Sequence, residues 1–482
     1  MSGESISPVD LAWLRMDSPT NPMVIVAVLI LSEPLAYARL KRVLERQLLT
    51  FERFLDRPIC DALGGHWQRD EQFELAFHLR RLKLPPRAGE SQLQAAASRL
   101  ASTPLDPTRP LWQFHLVERF GKGSAIVGRV HHCYADGVAL MRVLLSLTEA
   151  APGASSVPSP ASKHVNEASQ APRSLLAPLT GVLGSAETLA QRAIETTAEV
   201  LNTSLQALAH PTQAASRVQR IADATRELAK IALLPPDPPT PLKGRLSRNK
   251  QVSWAEPLSF AEVKTVAHAL GVSINDVLLS TVAGALGAYL ESGGTAIDSM
   301  TLKALVPVNL RPADQTPRLG NEFGLVFASL PVGERHPLAR LYAVNRDMDA
   351  LKHSSQAVVA FWLLTALGVL PDIVEHEAIE LFTTKASAVI SNVPGPREPL
   401  YVAGVRIERQ FFWVPQAGSI GLGVSLLTYH GAVHFGVMAD RHLIPHPERI
   451  TARFVGEFER LLLHVLAGVP PPAPPRPAAS TP

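Results

Sequence analysis

The sequence predicts an α+β protein of two halves joined by a helical linker, and three observations carry that prediction. The chain has 482 residues, enough for two or more domains of about 100–200 residues each. Both its N-terminal and C-terminal stretches alternate strand-like apolar runs with segments of helical periodicity. Between them, residues 151–243 open with APGASSVPSPASK, close with LLPPDPPTP, and carry Leu189, Ile194, Leu201, Leu205 and Leu208 at roughly helical spacing. That divides the chain into an N-terminal half (1–150), a linker with flexible joints (151–243) and a C-terminal half (244–469). Residues 470–482 hold seven of the 41 prolines and are too poor in apolar side chains to fold.

In the N-terminal half, residues 23–31 form an apolar run suited to a buried strand, and 35–49 alternate basic and apolar positions as a helix does. Residues 91–102 predict a second helix; 111–118 and 124–132 predict strands joined by the Phe-Gly-Lys-Gly turn. A helix follows from 137 to about 149. In the C-terminal half, a helix over 260–270 is stopped by Gly271, whose missing Cβ suits a left-handed cap. Ser273 starts the next helix, which ends near the Glu-Ser-Gly-Gly at 291–294. Strands at 302–308 and 323–331 precede helices at 337–352 and 358–370 and a strand at 388–391. A hairpin pairs 421–428 with 432–438 across Tyr429-His430-Gly431, and a closing helix covers 447–466.

Composition excludes several classes. Apolar residues make up 46% and charged residues 18%, so the chain is globular and rather greasy rather than disordered. A net charge of +3 is too balanced for a protein whose main task is gripping nucleic acid. Two cysteines, Cys60 and Cys133, make no disulfide scaffold and fit a reducing compartment. The N-terminus lacks the basic start and apolar stretch of a secretory signal, and the greasiest runs, 23–31 and 357–370, fall short of the ~18 residues expected of a bilayer span.

The most informative stretch is Val130-His131-His132-Cys133-Tyr134-Ala135-Asp136-Gly137. It sits at the end of an apolar strand and the start of a helix: the strand fixes an imidazole's direction, and Gly137 permits a tight path into the helix. An imidazole whose ordinary pKa is about 6.5 is a natural acceptor for a hydroxyl proton at neutral pH. The alternatives are a packed structural histidine, a metal site and a Cys133 nucleophile. Adjacent strand residues point to opposite faces, which argues against His131 and His132 sharing one ion and turns Cys133 away from His132. For Asp136 a plain helix N-cap is the competing role; for Asp276, a capping-box bond back to Ser273; for Trp112, a core anchor.

These residues carry a resemblance. The HHxxxDG stretch with Pro110-Leu111-Trp112 upstream resembles the bacterial bifunctional wax ester synthase/acyl-CoA:diacylglycerol acyltransferases. Ser7-Pro8-Val9-Asp10, the run from Arg15 to Met23, Asn275-Asp276-Val277, Pro307-Val308-Asn309-Leu310-Arg311, Gly320-Asn321-Glu322-Phe323-Gly324 and Ser391-Asn392-Val393-Pro394-Gly395-Pro396 are similar to further segments of that family, in order. HHxxxDG alone is shared with a wider superfamily of CoA-dependent acyltransferases and peptide condensation domains.

The resemblance implies two chloramphenicol-acetyltransferase-like domains with the active site in a tunnel between them. It implies that His132 is the general base, taking the acceptor alcohol's proton as its oxygen attacks an acyl-CoA thioester, with no acyl-enzyme. His131 shapes the site, Asp136 orients the loop through an ion pair for which Arg311 is the candidate, and Asn275 donates to the oxyanion. Gly137, Asp276, Ser391, Asn392 and Trp112 are candidates for substrate contact. Acyl-CoA is a co-substrate, with no bound cofactor or metal; the acceptors are diacylglycerol or fatty alcohols. Where relatives carry a His-Val-Gly run this chain has Pro22-Met23-Val24-Ile25, which points toward a diacylglycerol-type acceptor. The expected location is cytoplasmic, peripheral to the inner membrane or lipid inclusions. Residues 357–370 are expected to line the acyl tunnel, touch lipid or form a core helix, and Arg245, Arg248 and Lys250 to offer cations to CoA phosphates or a solvated face. A carrier-protein-dependent condensation enzyme and a non-catalytic lipid-binding relative are the rival readings.

Overall fold

β1 (Val24–Leu31) is apolar along its whole length because it is buried on both faces, the pattern of a central rather than a half-exposed strand. The computed structural model describes residues 4–61, 64–150, 233–311, 319–354, 356–367, 380 and 382–468. Among these, β1 pairs antiparallel with β6 (Gly123–His131), which pairs in turn with β5 (Trp112–Phe120). β4 (Leu79–Arg81) adds in parallel at that edge, while β2 (Asp56–Asp61) and β3 (Gly64–Arg69) pair antiparallel in a separate hairpin. Helices α1 (Pro8–Met16), α2 (Tyr37–Arg46), α4 (Glu90–Ala101) and α5 (Gly137–Ser146) accompany this sheet, with a short turn of helix, α3, at Leu75–His78.

The second sheet runs β11 (Phe323–Leu330), β10 (Leu302–Asn309), β12 (Ala388–Pro394), β15 (Leu422–Tyr429), β16 (Ala432–Asp440), β8 (Lys250–Trp254), with the short β9 (Leu258–Ser259) also pairing with β16. Its helical layer is α6 (Phe260–Leu270), α7 (Ile274–Ser292), α8 (Pro337–Lys352) and α10 (Glu448–Leu466). Gly271 ends α6 at φ 65°, the left-handed cap expected from the sequence. α7 is apolar all round because it runs through the core, with Val277, Leu278, Val282 and Leu286 fully buried. α6 and α7 together have the length and composition of a membrane span, yet they bend by 102° and pack inside this core; among the described residues no single helix is long and apolar enough to cross a bilayer.

The boundary between halves at 151–243 does not follow the sheets. The sequence assigns 401–413 to no element, but β13 (Tyr401–Val402) and β14 (Val405–Trp413) leave the C-terminal half and complete the N-terminal sheet: β14 pairs with β1, and β13 with β7 (Thr148–Glu149). The crossing is held by burial, since Phe411 and Trp413 pack their rings at 5.0 Å and 5.9 Å from Trp254. The proline-rich close of the linker is not a free joint either. Buried Asp237 accepts bonds from Lys303 N at 3.0 Å and Ser387 Oγ at 2.6 Å, pinning that stretch to the second sheet. The helix expected within the linker and the tail at 470–482 lie outside the described residues.

Candidate active site

The HHxxxDG loop begins where β6 ends. His131 is the last strand residue, opposite Val24. His132 leaves the ladder with its N–H donating to Met23 O at 2.8 Å. The loop then turns back, Tyr134 N donating to His131 O at 3.1 Å and Cys133 N to His131 Nδ1 at 3.2 Å. Tyr134 locks it from beneath: its hydroxyl accepts from Leu111 N at 3.0 Å and donates to Asp56 O at 2.6 Å. These bonds tie Leu111, of the Pro-Leu-Trp stretch, to the loop. Trp112 is a correction to its candidacy for substrate contact. Its indole is fully buried, donates to Phe54 O at 2.8 Å and stacks on His78 at 4.3 Å, so it anchors the core.

The two histidines diverge. His131 Nε2 faces Asp17 Oδ1 at 3.6 Å, and Asp17 in turn accepts from Met23 N at 2.6 Å. The His132 ring lies flat against Trp13 of α1, centroids 3.9 Å apart at 16°, with Phe323 on another side at 5.9 Å. Burial pushes its pKa down to about 4, against smaller upward pulls from Asp136 and its own carbonyl. The imidazole is therefore neutral at physiological pH and free to accept a proton. His131 shapes the loop, while His132 is the one aimed into the seam between the halves. Among the described residues no group of three or more His, Cys, Asp and Glu side chains is placed to hold a metal ion. Burial also pushes the Cys133 thiol well above its usual range, against any thiolate nucleophile.

Asp136 and Arg311 meet across 175 residues of chain. Asp136 caps α5, its Oδ1 accepting from Val138 N at 3.1 Å and Ala139 N at 3.0 Å. Its Oδ2 accepts from Arg311 Nη1 at 2.5 Å and from Glu322 N at 3.0 Å. Arg311 also donates through Nη2 to Gly320 O at 2.9 Å, and Gly320 O receives Asp136 N at 3.2 Å. The cap and the ion pair thus coexist on one carboxylate.

Four residues without a role in the sequence reading complete this clamp. Asn321 Nδ2 donates to His132 O at 2.8 Å and to Asp10 Oδ1 at 2.7 Å, so the Gly-Asn-Glu-Phe-Gly stretch of the C-terminal half holds the base's own backbone. Burial raises the Asp10 pKa to about 6, opposed mainly by the Asn321 bond. Trp13 and Phe323 supply the rings. Asp10, Asn321 and Phe323 lie in segments whose resemblance to the family the sequence did show, without a role attached; Trp13 lies outside them. Gly324 has a reason to be glycine: a Cβ there would stand 1.9 Å from Ala357 O, at the start of the helix Gln356–Leu367, α9.

From the C-terminal half, Asn275 in the first turn of α7 accepts from Asn392 Nδ2 at 3.0 Å. No acceptor for the Asn275 NH₂ occurs among the described residues, which leaves it a donor. Next to Asn392, the Val393 methyl lies 3.5 Å from where a Cβ on Gly137 would sit, joining this pair to the start of α5. Ser391 lies in register with Ser425, and by strand alternation points away from the helical core that Ile390 enters. Asp276 is corrected from substrate contact to cap: fully buried, it accepts from Ser273 N at 2.9 Å and Asn345 Nδ2 at 3.0 Å, while its own N–H bonds Ser273 Oγ at 3.1 Å. Lys250 is likewise corrected as a phosphate cation, because it is buried in a 2.9 Å pair with Asp440; Arg245 and Arg248 are exposed. α9 packs on β11 and α1, with Val359 buried beside Leu305 and Phe327; residues 368–370 lie outside the described residues.

Comparison with known proteins settles what this arrangement belongs to. Residues 6–278 match the model of the wax ester synthase/diacylglycerol acyltransferase catalytic domain, and 319–462 that of the family's C-terminal domain. The chain belongs to the wax ester synthase/diacylglycerol acyltransferase family. It is an acyltransferase; His132, Asp10, Trp13 and Asp136 fall within the first matched region and Gly320 to Phe323 within the second, while Arg311 lies between the two. A provisionally named diacylglycerol O-acyltransferase of Mycobacterium tuberculosis strain CDC 1551 is 30% identical, covering 95% of this chain and 99% of that protein. Another from strain H37Rv is 29% identical over 95% and 98%. In fold, the chain is similar to the wax ester synthase/diacylglycerol acyltransferase of Marinobacter aquaeolei VT8, with a TM-score of 0.67 at 22% identity over 96% and 99% of the two chains. The first condensation domain of the calcium-dependent antibiotic synthetase is similar at a TM-score of 0.58, 16% identity and 98% and 97% coverage.

Proposed function

We propose that this acyltransferase moves a long-chain acyl group from acyl-CoA to diacylglycerol, and to long-chain alcohols, with His132 as general base. The observation that carries this reading is the neutral, buried His132 imidazole, held at the seam of the two halves by Asn321 on its carbonyl and by the Asp136–Arg311 pair behind its loop. The acceptor hydroxyl gives its proton to the imidazole as its oxygen attacks the thioester carbonyl. Asn275, with its carbonyl fixed on Asn392, turns its NH₂ to the oxyanion. Collapse expels CoA thiolate, which recovers the proton from the imidazolium. The apolar wall formed by Phe323 and Trp13 supports a lipid acceptor rather than a sugar or amine.

Thiol release from palmitoyl-CoA, measured against a diacylglycerol, hexadecanol and glycerol with products resolved by chromatography, tests the proposal. Release should depend on the first two acceptors and yield triacylglycerol or wax ester. Activity confined to acyl groups carried on a carrier protein would instead make this a condensation-type enzyme. In the same assay Asn275→Ala should lower kcat about a hundredfold with little change in KM for palmitoyl-CoA. An unaltered kcat removes Asn275 from the oxyanion.

A further inference from the structure

We infer that Trp13 is the cover that keeps water from His132, and that it decides whether the thioester is transferred to an alcohol or lost to hydrolysis. The inference rests on His132 being the base. A base that activates an alcohol activates water equally well, so an enzyme handling a thioester must keep water from that nitrogen while it waits for a lipid. Nothing in the hydrogen bonds around His132 does this, because they act on its backbone. The indole fills the space on one face of the ring: it lies parallel to the imidazole at 3.9 Å, and Phe323 of the other half stands on another side, 5.9 Å from His132 and 6.1 Å from Trp13, so the surroundings of the base are apolar rather than wet.

The helix that carries Trp13 is built to bridge the seam. Ser7 caps α1 by accepting from Asp10 N at 3.2 Å, and Asp10 reaches across to Asn321. α1 also packs on α9 of the other half. One short helix is thereby fastened on both sides of the site with its aromatic residue over the base. Trp13 Nε1 is buried with no hydrogen-bond partner among the described residues, so the indole is not held there by a polar bond of its own. It contributes bulk and an apolar face, which is what excluding water requires.

With the indole removed, water enters beside the imidazole. Its oxygen attacks the thioester carbonyl, the C–S bond breaks, and its proton passes through His132 to the CoA thiolate; fatty acid and CoA are the products, with no other reactant. The test measures CoA release with and without acceptor, together with ester formed. Trp13→Ala should raise acceptor-independent release at least about tenfold while ester formation falls, and should move the acid limb of kcat/KM up toward the ordinary imidazole value near 6.5. Trp13→Phe should restore the wild-type ratio of ester to acid, and Trp13→Leu, which keeps apolar bulk, should lie between. If Trp13→Ala and Trp13→Leu fold but lower both outcomes in proportion, Trp13 is packing alone and the inference is overturned. The double variant Trp13→Ala/His132→Ala separates the two readings. Loss of the new hydrolysis upholds both, whereas hydrolysis that persists there shows water entering without His132 as its base.

Discussion

Replacing His132 with alanine should lower kcat/KM for palmitoyl-CoA and an acceptor about a thousandfold, within the 10²–10⁴ that a general base supplies. The fold should survive, since the bonds holding this position come from its backbone: His132 N to Met23 O and Asn321 to His132 O. The wild-type pH profile carries independent information. Because burial holds the free enzyme's His132 near 4, kcat/KM should stay level from neutral pH down to about 5 and fall only below that. Burial also depresses His115 and His434 to about 4. Groups with depressed folded values lend stability that is complete above about 6.5 and lost as pH falls toward 4, because the unfolded imidazoles take up protons first. Short assays with recovery of activity at pH 7 therefore separate titration of the base from acid unfolding. A loss of less than tenfold in the alanine variant, or a reversible acid limb at 6.5, removes His132 from this role.

Asp136 and Arg311 should reveal themselves as one unit in stability as well as rate. Their side chains are only 6% and 4% exposed, and removing one partner of such a buried pair costs about 3–5 kcal/mol. The two alanine variants should not be equal. Arg311→Ala leaves the carboxylate with three backbone N–H donors, from Val138, Ala139 and Glu322, and belongs at the lower end, about 3 kcal/mol. Asp136→Ala orphans those donors, removes the α5 cap and leaves the guanidinium only Gly320 O and the longer 3.6 Å pair with Glu322, so it should cost more, about 4–5 kcal/mol. Urea unfolding of both variants and of the double variant gives the coupling between them. Independent, additive losses of under about 1 kcal/mol each would show that the pair does not hold the loop.

The site residues visible in the sequence are those whose role depends on near neighbours. Gly271 could be read because a left-handed cap is a property of one residue at a helix end. Asp276 stood out because a Ser-x-x-Asp spacing makes a capping box, although only the structure showed that its carboxylate serves the cap and Asn345 rather than a substrate. The opposed directions of His131 and His132 follow from strand alternation, but which of them meets the other half does not. Trp112 shows the reverse case: its motif suggested substrate contact, and the core around Phe54 and His78 claimed it.

The amino-acid sequence determined most of the elements, though not α1, β13 or β14, and the HHxxxDG loop at a strand-to-helix junction, because periodicity of two or of 3.6 residues records which face of each element is buried. The tertiary structure alone decided that β14 crosses into the N-terminal sheet, that Asn321 reaches Asp10 across 311 residues, and that Trp13 lies over His132. Periodicity states that a face must be covered and leaves open by what. That choice is made by how two sheets and their helices pack, through contacts between residues whose separation along the chain leaves no local pattern to read.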